Sequence, residues 1–145
     1  MKIKILCLVS IIFLTIPVLA HENVKNDTVK QRMQLMTVIK DNMATIAKMA
    51  RGVDPFTEES AEKAKQTLLN AAADIENKFK LSETDPLSES SPAIWENWED
   101  FVDKADDFSF MIEGLETASA ESLSAGLGNI GQSCGSCHKS FRIKK

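Results

Sequence analysis

The chain of 145 residues contains no tyrosine and only six glycines, four prolines and two histidines. So little glycine and proline excludes a collagen-like or low-complexity chain, and a hydrophobic fraction of 43% is too high for a disordered protein. Basic residues are also in the minority, because 17 Lys and Arg stand against 21 Asp and Glu. The net charge of −4 argues against a nucleic-acid partner. Length and composition predict one globular domain with a hydrophobic core.

Residues 1–20 have the pattern of a secretory signal peptide: two lysines, an apolar run over residues 5–14, and a small residue, Ala20, at the cleavage site. The apolar run is too short to span a bilayer comfortably, so we expect no membrane anchor. Cys7 lies inside this run and is predicted to be removed with it. Because the segment carries two lysines and no acidic residue, the net charge of residues 21–145 is −6.

The rest of the chain contains four amphipathic segments with helical periodicity, and none that alternates with period two. Turn and capping residues such as Gly52, Thr57 and Ser91-Pro92 separate the segments. The predicted helices cover roughly residues 27–51, 57–80, 92–118 and 119–142, with a polar loop over residues 81–91. In the first helix the predicted apolar seam consists of Met36, Ile39, Met43, Ile46 and Ala50. Short connections between similar helices predict an all-α fold, an antiparallel four-helix bundle over residues 21–145.

Residues 134–138 read Cys-Gly-Ser-Cys-His, the C-x-x-C-H attachment motif of c-type haem. Two thiols one helical turn apart can add to the two vinyl groups on one edge of a porphyrin. The imidazole of His138, directly after the second thiol, can turn toward the iron, and Cys134 and His138 share one helix face. Cys134 and Cys137 also lie on the apolar seam of the fourth helix. The motif predicts one covalent haem c inside the bundle and a chain located outside the cytoplasm, where bacteria attach haem.

Other uses of the two cysteines fit the sequence less well. A redox-active dithiol is typical of a thioredoxin-like βαβ unit, which is not predicted here. A zinc site needs about four ligands, whereas the chain offers Cys134, Cys137 and one well-placed histidine. A disulfide scaffold uses several pairs that join distant segments. A metal-binding or redox bundle without haem stays an alternative that the colour of the purified protein would decide.

Three segments match one known family: Cys-Gly-Ser-Cys-His-Lys-Ser-Phe-Arg over residues 134–142, Arg32-x-x-x-Met36, and Ser-Pro-Ala-Ile-Trp over residues 91–95. On these segments the chain resembles the cytochrome c prime family, including its low-spin relatives with methionine-ligated iron. The resemblance covers nearly all of the chain after residue 20 and implies a four-helix bundle with haem near the end of the last helix. It also implies that Cys134 and Cys137 form the thioether bonds and that His138 is the proximal iron ligand.

The sixth iron position separates two kinds of family member, one with five-coordinate iron and one with a methionine sulfur bound. Antiparallel packing places His138 opposite the early part of the first helix, so Met33 and Met36 are both in range. Met43 lies about 10 Å further along the axis than Met36. That distance makes Met43 and Met49 poor candidates. Met36 lies on the predicted seam and at the family's distal position, so we predict Met36 as the ligand. Two alternatives stay open: Met33 is the ligand, or Met36 packs in the core without binding iron.

Two arginines are further candidates for contact with the haem. Arg32 lies one turn before Met36 and is a candidate partner of a haem propionate, the other interpretation being an ordinary solvated helix charge. Arg142 lies one turn after His138 and is a candidate for contact with the haem face or propionates.

Taken together, these residues predict a periplasmic electron carrier. The sequence shows no acid–base pair, phosphate loop or nucleophile constellation, so no enzyme is predicted. A Met36–His138 ligand pair would close the iron to other ligands and raise its reduction potential. The expected partners are periplasmic redox proteins of unknown identity, and either a monomer or a homodimer is compatible with the family. The alternative is a five-coordinate haem protein that binds nitric oxide or carbon monoxide.

Overall fold

The computed structural model describes residues 23–143, and the elements there are six α-helices. They are α1 Asp27–Ala50, α2 Glu58–Ala73, α3 Ile75–Phe79, α4 Ala93–Glu96, α5 Trp98–Glu113 and α6 Ala120–Phe141. The four long helices close a ring, because α1 and α5 each pack against both α2 and α6. The predicted all-α four-helix bundle is confirmed. The predicted signal peptide and Cys7 lie outside the described residues.

Capping residues set the ends of the long helices, as the sequence predicts. The Asn26 side chain accepts a hydrogen bond from the backbone N–H of Val29 at 3.0 Å, and Thr57 caps α2 in the same way through Ser60. Ser119 forms a reciprocal capping box with Ser122 at the start of α6. After α1, Gly52 takes a positive φ of 68°, which a residue with a Cβ rarely adopts.

Two of the predicted helices are interrupted. The helix predicted over residues 57–80 breaks at Asp74, whose N–H donates to the carbonyl of Ala71, only three residues back, at 3.2 Å. The helix predicted over residues 92–118 breaks at Asn97, which leaves the helical region at φ −131° and ψ 54°. The Asn97 side-chain amide donates to the carbonyl of Ala93 at 3.1 Å, so it competes for a backbone acceptor. Periodicity alone predicted two continuous helices because the apolar spacing continues across both breaks.

The core lies along the bundle axis and includes Leu68, Ile112 and Leu123, all with no exposed surface. The predicted seam of α1 packs against the core but is incomplete. Leu35 and Met49 are buried there, whereas Met36 and Met43 are only half-buried. No helix of residues 23–143 is long and apolar enough to cross a membrane.

Candidate functional site

A cavity of about 510 Å³ opens between α1, α5 and the end of α6. Its volume falls within the range of about 300–1,000 Å³ that is typical of small-molecule and cofactor sites. Aromatic side chains from two helices, Phe79 of α3 and Phe101 and Phe108 of α5, form part of an apolar wall. The charged residues that line the cavity are Arg32, Lys40, Glu89, Lys104 and Arg142. Cations therefore outnumber carboxylates in the lining of an otherwise acidic protein, which suits an apolar ligand with negative groups.

The α6 side of the cavity carries the residues of the attachment motif. Cys134, Cys137, His138 and Phe141 all line it, and their spacing of three, one and three residues keeps them on one helix face. Both cysteines are half-buried, and no disulfide joins them. The structure thus brings the two thiols and the imidazole to the same wall.

The pKa values of Cys134 and Cys137 indicate whether the pair is suited to disulfide exchange. Burial raises the pKa of Cys134, and burial raises the pKa of Cys137 to about 11 despite the nearby charge of Lys104. Redox-active cysteines have a lowered pKa, so these thiols are not activated for disulfide exchange. Within residues 23–143 no group of three or more His, Cys, Asp or Glu side chains could hold a metal ion. Neither a redox dithiol nor a zinc site fits this wall.

His138 lines the cavity and is also exposed, which places it at the rim. Its partial burial and the charge of Arg142 lower the pKa of the imidazole, while Glu89 acts in the opposite direction. The neutral imidazole is the form that binds a metal, so the surroundings of His138 favour the ligand form.

The α1 side of the cavity carries three methionines. Met33, Met36 and Met43 are all half-buried and line the cavity, whereas Met49 is buried in the core and does not line it. Met43 lies on the cavity wall because the cavity extends along α1 from Val29 to Met43. Its exclusion as an iron ligand by axial distance stays a prediction. A thioether sulfur is a ligand that haem iron accepts.

Arg32 lines the same cavity but is not a solvated helix charge. Only 2% of its surface is exposed. Its Nε donates to the carbonyl of Lys78 at 3.0 Å, its Nη1 to the carbonyl of Glu83 at 2.9 Å, and its Nη2 to the carbonyl of Leu81. The desolvated cation thus binds α3 and the chain that follows it, and its contact with a propionate stays a prediction.

Arg142 forms an ion pair that the sequence did not indicate. Its Nη2 and Nε lie 2.5 and 2.6 Å from Oε2 of Glu89. A backbone bridge joins the same segments, since the N–H of Ile143 donates to the carbonyl of Glu89 at 2.8 Å. Glu89 and Arg142 are 53 residues apart, so no local pattern could have paired them.

The residues of the cavity fit a covalent haem. Two thiols one turn apart and an imidazole line one wall, thioether sulfurs line another, and aromatic side chains line the space between. Each of these groups matches a requirement of haem attachment or iron ligation.

Known proteins resemble this chain in sequence and in structure. The sequence pattern of the family described as Cytochrome C' matches residues 27–142. Cytochrome c-556 of Agrobacterium fabrum is 32% identical over 122 residues, which are 81% of this chain and 82% of that protein. A structural model of oxidised cytochrome c556 from Rhodopseudomonas palustris has a TM-score of 0.73 at 28% identity, covering 82% of this chain and 98% of that one. A nitric oxide complex of a cytochrome c prime variant from Alcaligenes xylosoxidans also has a TM-score of 0.73, at 25% identity, covering 82% of this chain and 95% of that one.

Proposed function

The chain belongs to the cytochrome c prime family, and from this membership we propose that it is an electron carrier whose haem iron is bound by His138 and Met36. The family consists of periplasmic, non-enzymatic proteins with one covalent haem c, so the chain is a haem protein and not an enzyme. Bound haem supplies an iron that gains and loses one electron. The roles of particular residues in holding it form the proposal.

On the α6 side, Cys134 and Cys137 would hold the haem through thioether bonds, and His138 would be the proximal ligand. The rigid helix supports this assignment because it fixes both sulfurs and the imidazole on one face. Burial raises the pKa of both half-buried thiols, which disfavours the thiolate that starts disulfide exchange.

The observation that carries the function is the placement of Met36. Its half-buried side chain lines the same cavity as His138, from the helix that packs against α6. Ligation by methionine and histidine closes iron to small molecules and raises its reduction potential, and both effects suit electron transfer. The apolar lining that includes Phe101 and Phe108 would shield bound haem from water, and an apolar environment disfavours the more charged, ferric state.

Gas binding is the second candidate function. It is favoured by the structural match to a cytochrome c prime variant solved as a nitric oxide complex. In this case Met36 would pack against the cavity without binding iron, and the distal face would remain open.

Optical spectra of the oxidised and reduced holoprotein test the choice between the two functions. We expect low-spin spectra in both states, a weak charge-transfer band near the red end of the visible range, and little change when carbon monoxide is added to the ferrous protein. A high-spin spectrum with rapid carbon monoxide binding would contradict electron transfer through a Met36-ligated iron and support gas binding.

Export and partners complete the proposal. We propose that residues 1–20 direct export to the periplasm and that the partners are redox proteins there. Protein recovered from a periplasmic fraction should have the intact mass of a haem-bearing chain that begins at His21. A chain that retains residue 1 would contradict the proposed cleavage.

A further inference from the structure

Glu89 holds Arg142 in place by two independent sets of contacts. The carboxylate Oε2 accepts from both Nε and Nη2 of Arg142 at 2.6 and 2.5 Å, which is the short range expected of charge-assisted hydrogen bonds. The backbone bridge between Ser90 and Arg142 and the bond from the N–H of Ile143 to the carbonyl of Glu89 fix the same two segments. The guanidinium is therefore fixed next to the carboxylate at the end of α6.

This ion pair lies on the proximal side of the cavity. Glu89, Arg142 and His138 all line the cavity, and the two paired charges have opposite signs, so they act on the imidazole in opposite directions. Arg142 directly follows α6, and its backbone N–H donates to the carbonyl of His138 at 3.1 Å, so its backbone is fixed next to His138. With both partners present, each charge offsets part of the effect of the other at His138.

We propose that Glu89 is a positioning residue that keeps Arg142 paired beside His138 and so balances the charge next to the proximal iron ligand. The proposal rests on the proposed haem site, with His138 as the proximal ligand. Loss of the carboxylate leaves an unbalanced cation, which disfavours the ferric state. Loss of the guanidinium leaves an unbalanced carboxylate, which favours the ferric state.

The reduction potentials of Glu89→Gln, Arg142→Gln and the double variant test this inference. At a fixed solution potential we expect Glu89→Gln to raise the ferrous-to-ferric ratio by about three- to tenfold, where tenfold corresponds to about 59 mV for one electron. Arg142→Gln is expected to lower the ratio, and the double variant is expected to return close to the wild type. Both shifts should shrink in high salt, because both side chains are partly exposed.

The control is Glu113→Gln, which removes the same charge from an exposed position at the end of α5, outside the cavity lining. Shifts of the same sign in the two single variants, no recovery in the double variant, or an effect of Glu89→Gln no larger than that of the control would overturn the proposal. Covalent haem content and the absorption spectrum are recorded for every sample. A wild-type chain without covalent haem refutes the proposed haem site itself, so this failure is distinguishable from failure of the charge balance.

Discussion

The guanidinium carbon of Arg32 lies 5.0 Å from the centre of the Trp95 ring. It also lies 5.2 Å from the centre of the Phe79 ring, and the indole N–H of Trp95 donates to the carbonyl of Phe79 at 2.8 Å. One buried cation thus connects α1, α3 and α4 at one end of the cavity. Desolvation lowers the pKa of Arg32, but the guanidinium keeps its proton. Its hydrogen bonds to three backbone carbonyls compensate for the loss of hydration.

Arg32→Met should destabilise the protein by about 3 kcal/mol, because it leaves three backbone carbonyls without their donor while keeping an apolar side chain of similar length. Urea unfolding of the holoprotein followed by circular dichroism measures the change. The matched control is Arg51→Met, since Arg51 is exposed and bonds only within its own helix end. We expect the control to change stability by less than about 0.5 kcal/mol. Equal effects of the two substitutions would show that the carbonyl contacts of Arg32 contribute nothing.

The contacts of Arg32 could not be predicted from the sequence, unlike the bundle itself. Helical periodicity and the attachment motif were sufficient to predict the bundle and the helix face of Cys134 and Cys137, because both depend on spacing within one segment. The acceptors of Arg32 lie 46 to 51 residues further along the chain, one near the end of α3 and two in the polar loop that follows, where no periodicity indicates their positions. The same limit applies to the pairing of Glu89 with Arg142. The helix breaks at Asp74 and Asn97 could not be predicted either, because the apolar pattern continues across both positions.

Asp85→Asn should reduce the dependence of stability on pH in the acid range. The Asp85 carboxylate accepts hydrogen bonds from the backbone N–H of Leu87 at 2.9 Å, of Lys25 at 3.0 Å and of Asn26 at 3.2 Å. These bonds lower the pKa of the carboxyl, and the bond from Leu87 has the largest effect. A lowered folded-state pKa stabilises the protein above the unfolded value of about 3.9, and this contribution is lost as the pH falls through the folded value.

Unfolding measured at pH 6 and at pH 3 tests this expectation. The difference in stability between the wild type and Asp85→Asn should be larger at pH 6 than at pH 3. The control is Asp106→Asn, at an exposed position of α5, for which we expect no such difference. A constant difference between the wild type and Asp85→Asn at both pH values would contradict a contribution from the ionised carboxylate.

Replacing the two cysteines should separate attachment of the haem from folding of the bundle. Cys134→Ala and Cys137→Ala should each retain haem through the remaining thioether, whereas the double variant should release its haem on acid–acetone extraction. Intact mass before and after extraction measures this. Ser136→Ala, an exposed position between the two thiols, is the control and should retain haem fully. Retention of covalent haem by the double variant would refute the assignment of both sulfurs.

Met36→Leu should convert the iron from six-coordinate to five-coordinate. The substitution removes the thioether but nearly conserves volume at a half-buried site, so the bundle should lose less than about 1.5 kcal/mol of stability. We expect the charge-transfer band to disappear, the reduction potential to fall, and the ferrous protein to bind carbon monoxide readily. Because Met33 and Met43 line the same cavity, Met33→Leu and Met43→Leu are the matched controls and should keep the band. If the band is instead lost only in Met33→Leu or only in Met43→Leu, electron transfer is retained but the ligand lies elsewhere on α1. A band that survives all three substitutions would exclude every methionine of the cavity wall as the ligand.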